Sequence, residues 1–406
     1  MKRRDFLQFG LGLGTSSMLG GISQLAIAGN GMEKSQDKQS GPFIVVFLRG
    51  GADGLAILSP LDDVNFQAAR PPEMRFTPDK AGGTALNIPT INLNGTNLYW
   101  HPAAEPLAKL YSRKRLIAWP AVGVKDETRS HFEAQEMIER GVSSLQNLPD
   151  SFGWMARQVY LNKEHIKDSS NSLPLFAGNT TMPRSMQGAN QVLAVRDLQN
   201  GVGFPGGPAG LNGMKGLCEV DRNHPAAQQM LGTFNTLEQL NLALPKTDNK
   251  VVPYVSAGQT PYPDSDPGAG LRSIARLMQA KVGLQYAWVD QLGWDTHENQ
   301  PSRINNQIKQ LSNALLALDE DMKAQNNTYT LVVMSEFGRR LISNRSNGTD
   351  HGHGSLALVM GSQVAGGKVM GSWPGLETAS LDRGVDLAVT SDYLEVLKQA
   401  QQWRGV

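Results

Sequence analysis

The chain has a single cysteine in 406 residues, Cys218, so it can form no intrachain disulfide and no thiolate metal centre. A buried structural thiol is the expected reading of that residue. The sequence also lacks an excess of either charge sign. Against 38 Lys and Arg stand 37 Asp and Glu, a formal net charge of +1, which leaves no electrostatic footprint for nucleic acid or for an anionic membrane surface. Beyond the first thirty positions no run approaches the roughly 20 apolar residues that a membrane-spanning helix needs. What remains is 40% hydrophobic and 18% charged, an ordinary globular composition that excludes disordered, collagen-like and multi-span membrane classes. One or two domains are expected, because single cores stop growing at roughly 250–300 residues.

The N-terminus reads as an address. Met1-Lys2-Arg3-Arg4-Asp5-Phe6-Leu7 places two arginines before a mildly apolar stretch that ends in Leu25-Ala26-Ile27-Ala28. That is the twin-arginine export pattern with a small-residue cleavage site. Glycines at 10, 12, 14, 20 and 21 make the alternative, a basic cytosolic helix, a poor one. Cleavage after Ala28 would leave residues 29–406 and remove Lys2, Arg3, Arg4 and Asp5, taking the formal charge from +1 by 2 to −1. The expected partner is the twin-arginine export machinery, and the expected location is periplasmic or extracellular, with no membrane span in the mature chain.

Along residues 29–406, short β-rich apolar runs alternate with amphipathic stretches of helical length, the pattern of a doubly wound, mostly parallel α/β sheet with helices on both faces. The strands are expected at Phe43–Leu48, Leu116–Val122, Leu173–Ala177, Val192–Val195, Tyr286–Asp290, Leu331–Met334 and Leu356–Met360. Several are apolar on successive residues, as buried parallel strands are. Helices are expected at Pro102–Lys114, His131–Arg140, Ser151–Lys163, Pro225–Leu244, Leu271–Lys281, Ile304–Gln325 and Asp392–Trp403. An inserted segment is expected around 180–270. Its end, Lys246–Gly270, carries Pro253, Pro261, Pro263 and Pro267 and reads as a long surface connection. Gly201-Val202-Gly203-Phe204-Pro205-Gly206 matches the dinucleotide G-x-G-x-x-G in form only. Pro205, Pro208 and further glycines stand where that motif must open a helix, so a surface loop is expected.

Chemistry collects in five segments: Phe47–Gly54, Arg129–Glu133, Gly293–Glu298, Met334–Arg339 and Thr349–Gly354. Four of the seven histidines, His131, His297, His351 and His353, stand in them beside carboxylates or a serine. In an open α/β sheet the carboxyl ends of the strands converge on one crevice. Asp, Glu and His delivered there make an N/O ligand set suited to a divalent metal, zinc first and manganese or calcium next. The candidate ligands are Asp53, Asp295, His297, Glu336, His351 and His353. In an extended His351-Gly352-His353 the two imidazoles would point the same way. Each segment also has a plain structural reading, among them a turn at Asp53 and an ion pair between Glu336 and Arg339 or Arg340.

Ser130 carries two readings. Ser130-His131-Phe132-Glu133 is an S-x-x-E capping box, which needs no catalysis to explain it. The same placement sets a hydroxyl at the positive end of a helix dipole, where a phosphate or sulfate would sit.

The order of these motifs resembles the alkaline phosphatase and sulfatase superfamily. More closely, the export signal with F-L-R-G-G-A-D-G-L, S-H-F-E, G-W-D-T-H, S-E-F-G-R and D-H-G-H-G resembles a poorly characterised bacterial family of twin-arginine-exported proteins assigned to that superfamily. The resemblance implies an alkaline-phosphatase-like α/β fold. It makes Asp53 the first-strand metal carboxylate, Ser130 the nucleophile, Asp295 and His297 one ligand pair, and His353 the late histidine, with His351 supplying a further nitrogen. Glu336 falls where the superfamily has the Asp of an Asp-His pair, and Phe337 stands where the His should be. The implied function is metal-dependent hydrolysis of an anionic phosphate or sulfate ester outside the cytoplasm, with Arg49 or Arg339 neutralising the transferred group. The alternative is a non-catalytic exported protein of the same fold acting in envelope or surface assembly.

Overall fold

The computed structural model describes residues 41–88, 90–147, 152–161, 172–189, 191–248 and 250–404. The expected signal peptide, 1–28, lies outside the described residues.

The strand Phe43–Leu48 (β1) is buried at all six positions. Its side chains alternate between two cores, as strand geometry requires. Ile44, Val46 and Leu48 enter one core, and Phe43, Val45 and Phe47 the other. A strand apolar on both faces can sit only in the middle of a covered sheet, and β1 does. The other main strands are Leu116–Gly123 (β2), Leu175–Ala177 (β3), Val192–Ala194 (β4), Tyr286–Gln291 (β5), Thr330–Met334 (β6) and Ser355–Gly361 (β7). Two-residue strands at Lys368–Val369 (β8) and Ser391–Asp392 (β9) complete the sheet. Its order is β8-β2-β7-β6-β1-β5-β3-β4, with β9 also pairing β2. All pairs are parallel except β6–β7 and β7–β2. This is the mostly parallel α/β class expected, with all seven expected strands in place.

Helices cover both faces. Glu105–Ser112 (α1), Asp266–Gln279 and Gln300–Ala324 pack on the Ile44 side, whereas His131–Arg140 (α2), Trp154–Leu161 (α3) and Tyr393–Trp403 pack on the Phe43 side. Gln300–Ala324 begins four residues before the expected Ile304, and two helices depart further from expectation. Gly207–Val220 (α4) forms directly after the glycine-rich loop, with Gly206 left-handed at its N-cap and Pro208 in its first turn, where proline lacks only an amide that would be unpaired anyway. It runs into a helical hairpin with Pro225–Ala243 (α5). Asp266–Gln279 (α6) begins five residues before the expected Leu271 because its glycines serve packing: a Cβ on Gly270 would lie 2.7 Å from Val289 Cγ1.

The long connection is shorter and better anchored than its prolines suggested. It opens with a hairpin, Lys246–Thr247 against Lys250–Val251. It is then pinned to Gln300–Ala324 (α7), because the buried Asp321 accepts hydrogen bonds from Tyr254 Oη at 2.8 Å, Tyr262 Oη at 2.9 Å and the Ala257 amide at 2.9 Å. Tyr393–Trp403 is α8.

Candidate metal centre

The crevice at the carboxyl ends of the parallel strands is built from five loops. β1 leads to Arg49-Gly50-Gly51, β5 to 292–299, β6 to 335–340 and β2 to 124–130 and then α2. β7 runs antiparallel to β6, so the segment before it, 349–354, arrives at the same edge. Gly50 and Gly51 have φ of 117° and 71°, a region that only glycine enters freely. A Cβ on Gly50 would come within 2.4 Å of the Asp295 amide, and one on Gly51 within 2.5 Å of the Phe337 ring. The two glycines let these loops close on one another.

Four side chains converge there. Asp295 Oδ1 lies 3.2 Å from His297 Nε2, 3.5 Å from His351 Nε2 and 3.9 Å from His131 Nε2. His297 Nε2 and His351 Nε2 are 2.9 Å apart. The donor atoms of His131, Asp295 and His351 all lie within 4.8 Å of one another. Zinc–ligand bonds of about 2.0–2.1 Å in a tetrahedron separate donors by about 3.3 Å; His131, Asp295 and His351 form a group close enough to hold one ion, and His297 Nε2 stands beside two of its members, Asp295 and His351.

The other nitrogen of each imidazole is held from behind. His131 Nδ1 lies 2.8 Å from Glu336 Oε1, His297 Nδ1 is 3.1 Å from Asp350 Oδ1, and His351 Nδ1 is 2.9 Å from the Arg129 carbonyl oxygen. All three partners are acceptors, so each Nδ1 carries the proton and each Nε2 presents a lone pair to the centre. This arrangement of outer partners is how proteins fix metal-binding histidines. Three imidazole lone pairs gathered beside one carboxylate oxygen require a cation or proton to balance them. The side chains of Asp295 and His297 are 50% and 43% exposed, so the centre opens to solvent.

Electrostatics follow from these contacts. Burial pushes the Glu336 carboxyl up, but hydrogen bonds from His131, Gln135 and the Gly50 amide more than offset it and hold the group below the usual range. For Asp295, burial is likewise outweighed, first by the Arg339 hydrogen bond and charge. His351 is held below the ordinary imidazole range by burial, against the pull of the Arg129 carbonyl and with the Arg339 charge adding to the decrease.

Of the expected ligands, then, Asp295, His297 and His351 come together. The fourth member, His131, stands in a segment that sequence reasoning did single out, but there the neighbouring Ser130 drew the assignment. Glu336 stands one step back, behind His131. Asp53 is turned to Arg70, with Arg70 Nη1 2.6 Å from Asp53 Oδ2 and both side chains buried. His353 does not follow His351, because the chain bends at 353 instead of running extended. Its Nδ1 lies 2.8 Å from Asp382 Oδ2 and its Nε2 2.9 Å from the Val124 carbonyl oxygen. Phe337, in the place of the superfamily histidine, packs its ring 4.8 Å from those of both His131 and His351.

The expected capping box does not form. Ser130 is the N-cap of α2, yet its side chain makes no capping hydrogen bond. Glu133 instead accepts from the Thr128 hydroxyl, whose oxygen accepts from the Ser130 amide at 3.1 Å. The two arginines are engaged with protein groups. Arg49 pairs with Asp290 and Glu139, each at 2.8 Å, and donates to Gln135 Oε1 at 2.9 Å. Arg339 is fully buried and donates to the carbonyls of Gly50, Gly51, Trp294 and Thr349 and to Asp295 Oδ1.

Residues 226–397 match a family described as a protein family of unknown function, DUF1501. No curated protein matches the chain. Among solved structures, the chain is similar to the C-terminal periplasmic domain of EptC from Escherichia coli in complex with Zn, at 11% identity and a TM-score of 0.35, covering 82% of this chain and 76% of that one. It is similar to an alkaline phosphatase superfamily protein from Vibrio parahaemolyticus at 10% identity and a TM-score of 0.38, covering 88% and 72%. For the TAB5 alkaline phosphatase mutant with Mg bound, identity is 10%, the TM-score 0.32 and coverage 81% and 93%. Among the described residues no helix is long and apolar enough to cross a membrane.

Proposed function

We propose that this protein is a metal-dependent hydrolase of phosphate or sulfate esters, exported by the twin-arginine route and acting outside the cytoplasm. The observation that carries the reading is the convergence of His131, His297 and His351 Nε2 with Asp295 Oδ1, each imidazole held by an acceptor on its far nitrogen. Those four residues would hold the ion, and nitrogen-rich coordination suits zinc better than magnesium or calcium.

A divalent ion there would supply Lewis acidity to an ester oxygen and favour the ionised form of a nearby hydroxyl. The rest falls to the chain. Ser130, next to His131 and with no cap bond to make, is the candidate nucleophile. The first turn of α2 offers backbone N–H groups and the positive end of a ten-residue helix to an anion. Glu336 keeps the His131 proton on Nδ1. Arg339 positions Asp295 and ties the loops after β1 and β5 to the segment before His351. Its donors are committed to those groups, so the anion-neutralising role implied by resemblance does not suit it.

The test is turnover of p-nitrophenyl phosphate and p-nitrophenyl sulfate by the zinc-loaded mature protein. Zinc-dependent hydrolysis of one of them that is lost in Ser130→Ala is the expected result. Absence of turnover of both would leave the second reading, a non-catalytic exported protein of the same fold, as the better account. That reading is favoured by one observation: Asp53 and His353, expected to serve a metal, both spend their polar atoms on protein partners.

A further inference from the structure

We infer that this protein takes a single divalent ion, and that the buried guanidinium of Arg70 stands where a second cation would otherwise be needed to balance Asp53. The inference rests on the metal reading of the His131–Asp295–His297–His351 centre and not on hydrolysis.

A buried carboxylate requires a cationic partner or a full set of donors, because transfer out of water costs several kcal/mol for an uncompensated ion. Asp53 has both, from Arg70 and Gln300. Arg70 Nη1 lies 2.6 Å from Oδ2, Arg70 Nη2 is 3.4 Å from Oδ1, and Gln300 Nε2 donates to Oδ2 at 2.6 Å. The guanidinium is itself fixed from the far side: Nε donates to the Leu341 carbonyl at 2.5 Å and Nη2 to the Arg340 carbonyl at 2.8 Å. A metal and this guanidinium exclude one another at Asp53, since both need the same carboxylate oxygens and together would place two cations in contact.

The pair is also built into the metal centre. Gln300 Oε1 accepts from Thr296 Oγ1 at 2.9 Å and from Thr349 Oγ1 at 2.6 Å. Thr296 lies between the ligands Asp295 and His297, and Thr349 lies two residues before His351. Asp53, Arg70 and Gln300 thus form a charge-balanced joint that clamps the two ligand-bearing loops. The remaining candidates for a second ion are spent likewise: Glu336 accepts from Gly50, Gln135, His131 and Ser335, and His353 lies between Asp382 and Val124.

The experiment is metal stoichiometry. Mature protein is saturated with zinc, freed of excess by gel filtration and measured by elemental analysis, with affinity from chelator competition. The wild type is expected to hold about one zinc per chain. Asp53→Asn, and the double variant Asp53→Leu with Arg70→Met that removes both charges together, should keep a count of about one ion per chain, bound more weakly because the clamp on the ligand loops is loosened, whereas His351→Ala should lose it. About two ions per wild-type chain, none at all, or loss of zinc in a folded Asp53 variant would overturn the inference. If neither Asp53 variant folds, the wild-type count alone decides it. One ion without ester turnover would leave this inference standing and remove the hydrolase reading; two ions with turnover would do the reverse.

Discussion

His297 and His351 aim their Nε2 atoms at each other across 2.9 Å while their Nδ1 atoms are committed to Asp350 and to the Arg129 carbonyl. Two neutral imidazoles so arranged place lone pair against lone pair. The contact is favourable only when a proton or a metal lies between them, so the folding of five separate loops has prepared a point of negative potential before any ligand arrives.

Glu336 should matter to the metal without touching it. Glu336→Gln keeps the shape behind His131 but removes the charge that makes its Nε2 a better donor. Zinc affinity is expected to fall by about 10- to 100-fold, read by chelator competition, with the far-ultraviolet circular dichroism unchanged. An unaltered affinity would remove Glu336 from the centre.

Ser130→Ala should be nearly silent in stability. Capping serines cost about 0.5–2 kcal/mol when removed, but this hydroxyl makes no cap bond, so a loss below about 0.5 kcal/mol is expected in urea unfolding. A larger loss would mean that the hydroxyl caps α2 in solution.

These two residues show how far the sequence could be read. The sheet was legible because its strands are apolar on successive positions, as at Phe43–Leu48, and no other element of that length fits such a run. The crevice was legible because its residues follow strands. Which side chain does what was not. Asp53 and Asp295 both follow a strand within a few residues, yet one meets Arg70, which is 17 positions away, and the other meets histidines brought from three segments. His131 could have been found from the helix: with Gln135 and Glu139 it forms an i, i+4, i+8 polar row on α2, an unusual face to bury, and that row reaches Glu336 and Arg49. The helix Gly207–Val220 was hidden by its glycines and by Pro208, which oppose helix by propensity but are tolerated at a first turn.

His101 should make stability sensitive to mild acid. Burial pushes its pKa down from 6.5 to about 4, and its Nδ1 accepts from the Ala103 amide at 3.1 Å, a bond that only the neutral ring can make. The unfolded chain therefore binds a proton that the folded one refuses between those values. The contribution is intact above about pH 6.5 and is lost progressively as pH falls to about 4, up to about 3 kcal/mol. His101→Asn keeps an acceptor and does not titrate. Its stability relative to wild type should rise across that window, and parallel curves of stability against pH for the two proteins would contradict the assignment.

Asp321 should be a costly carboxylate to remove. It accepts from two tyrosine hydroxyls, a backbone amide and Gln325 Nε2 at 2.8 Å, and its side chain is buried. Asp321→Ala leaves those donors unmatched, and a loss of at least about 1–3 kcal/mol is expected. Limited proteolysis should then cut first between 252 and 265, the segment it anchors; cleavage elsewhere would place the weak point somewhere other than this connection.

The position of β1 has a consequence for the order in which the molecule can be made. Phe43 pairs with Tyr286 on one side and Thr330 on the other, so the central strand of the sheet leaves the ribosome before either neighbour and waits for partners more than two hundred residues downstream. Until then its six consecutive apolar residues have no neighbour to hydrogen-bond, a segment open to wrong pairing during a long synthesis. Any chain stopped before about residue 290 would keep that strand uncovered, and the loops at its carboxyl end would have nothing to assemble around.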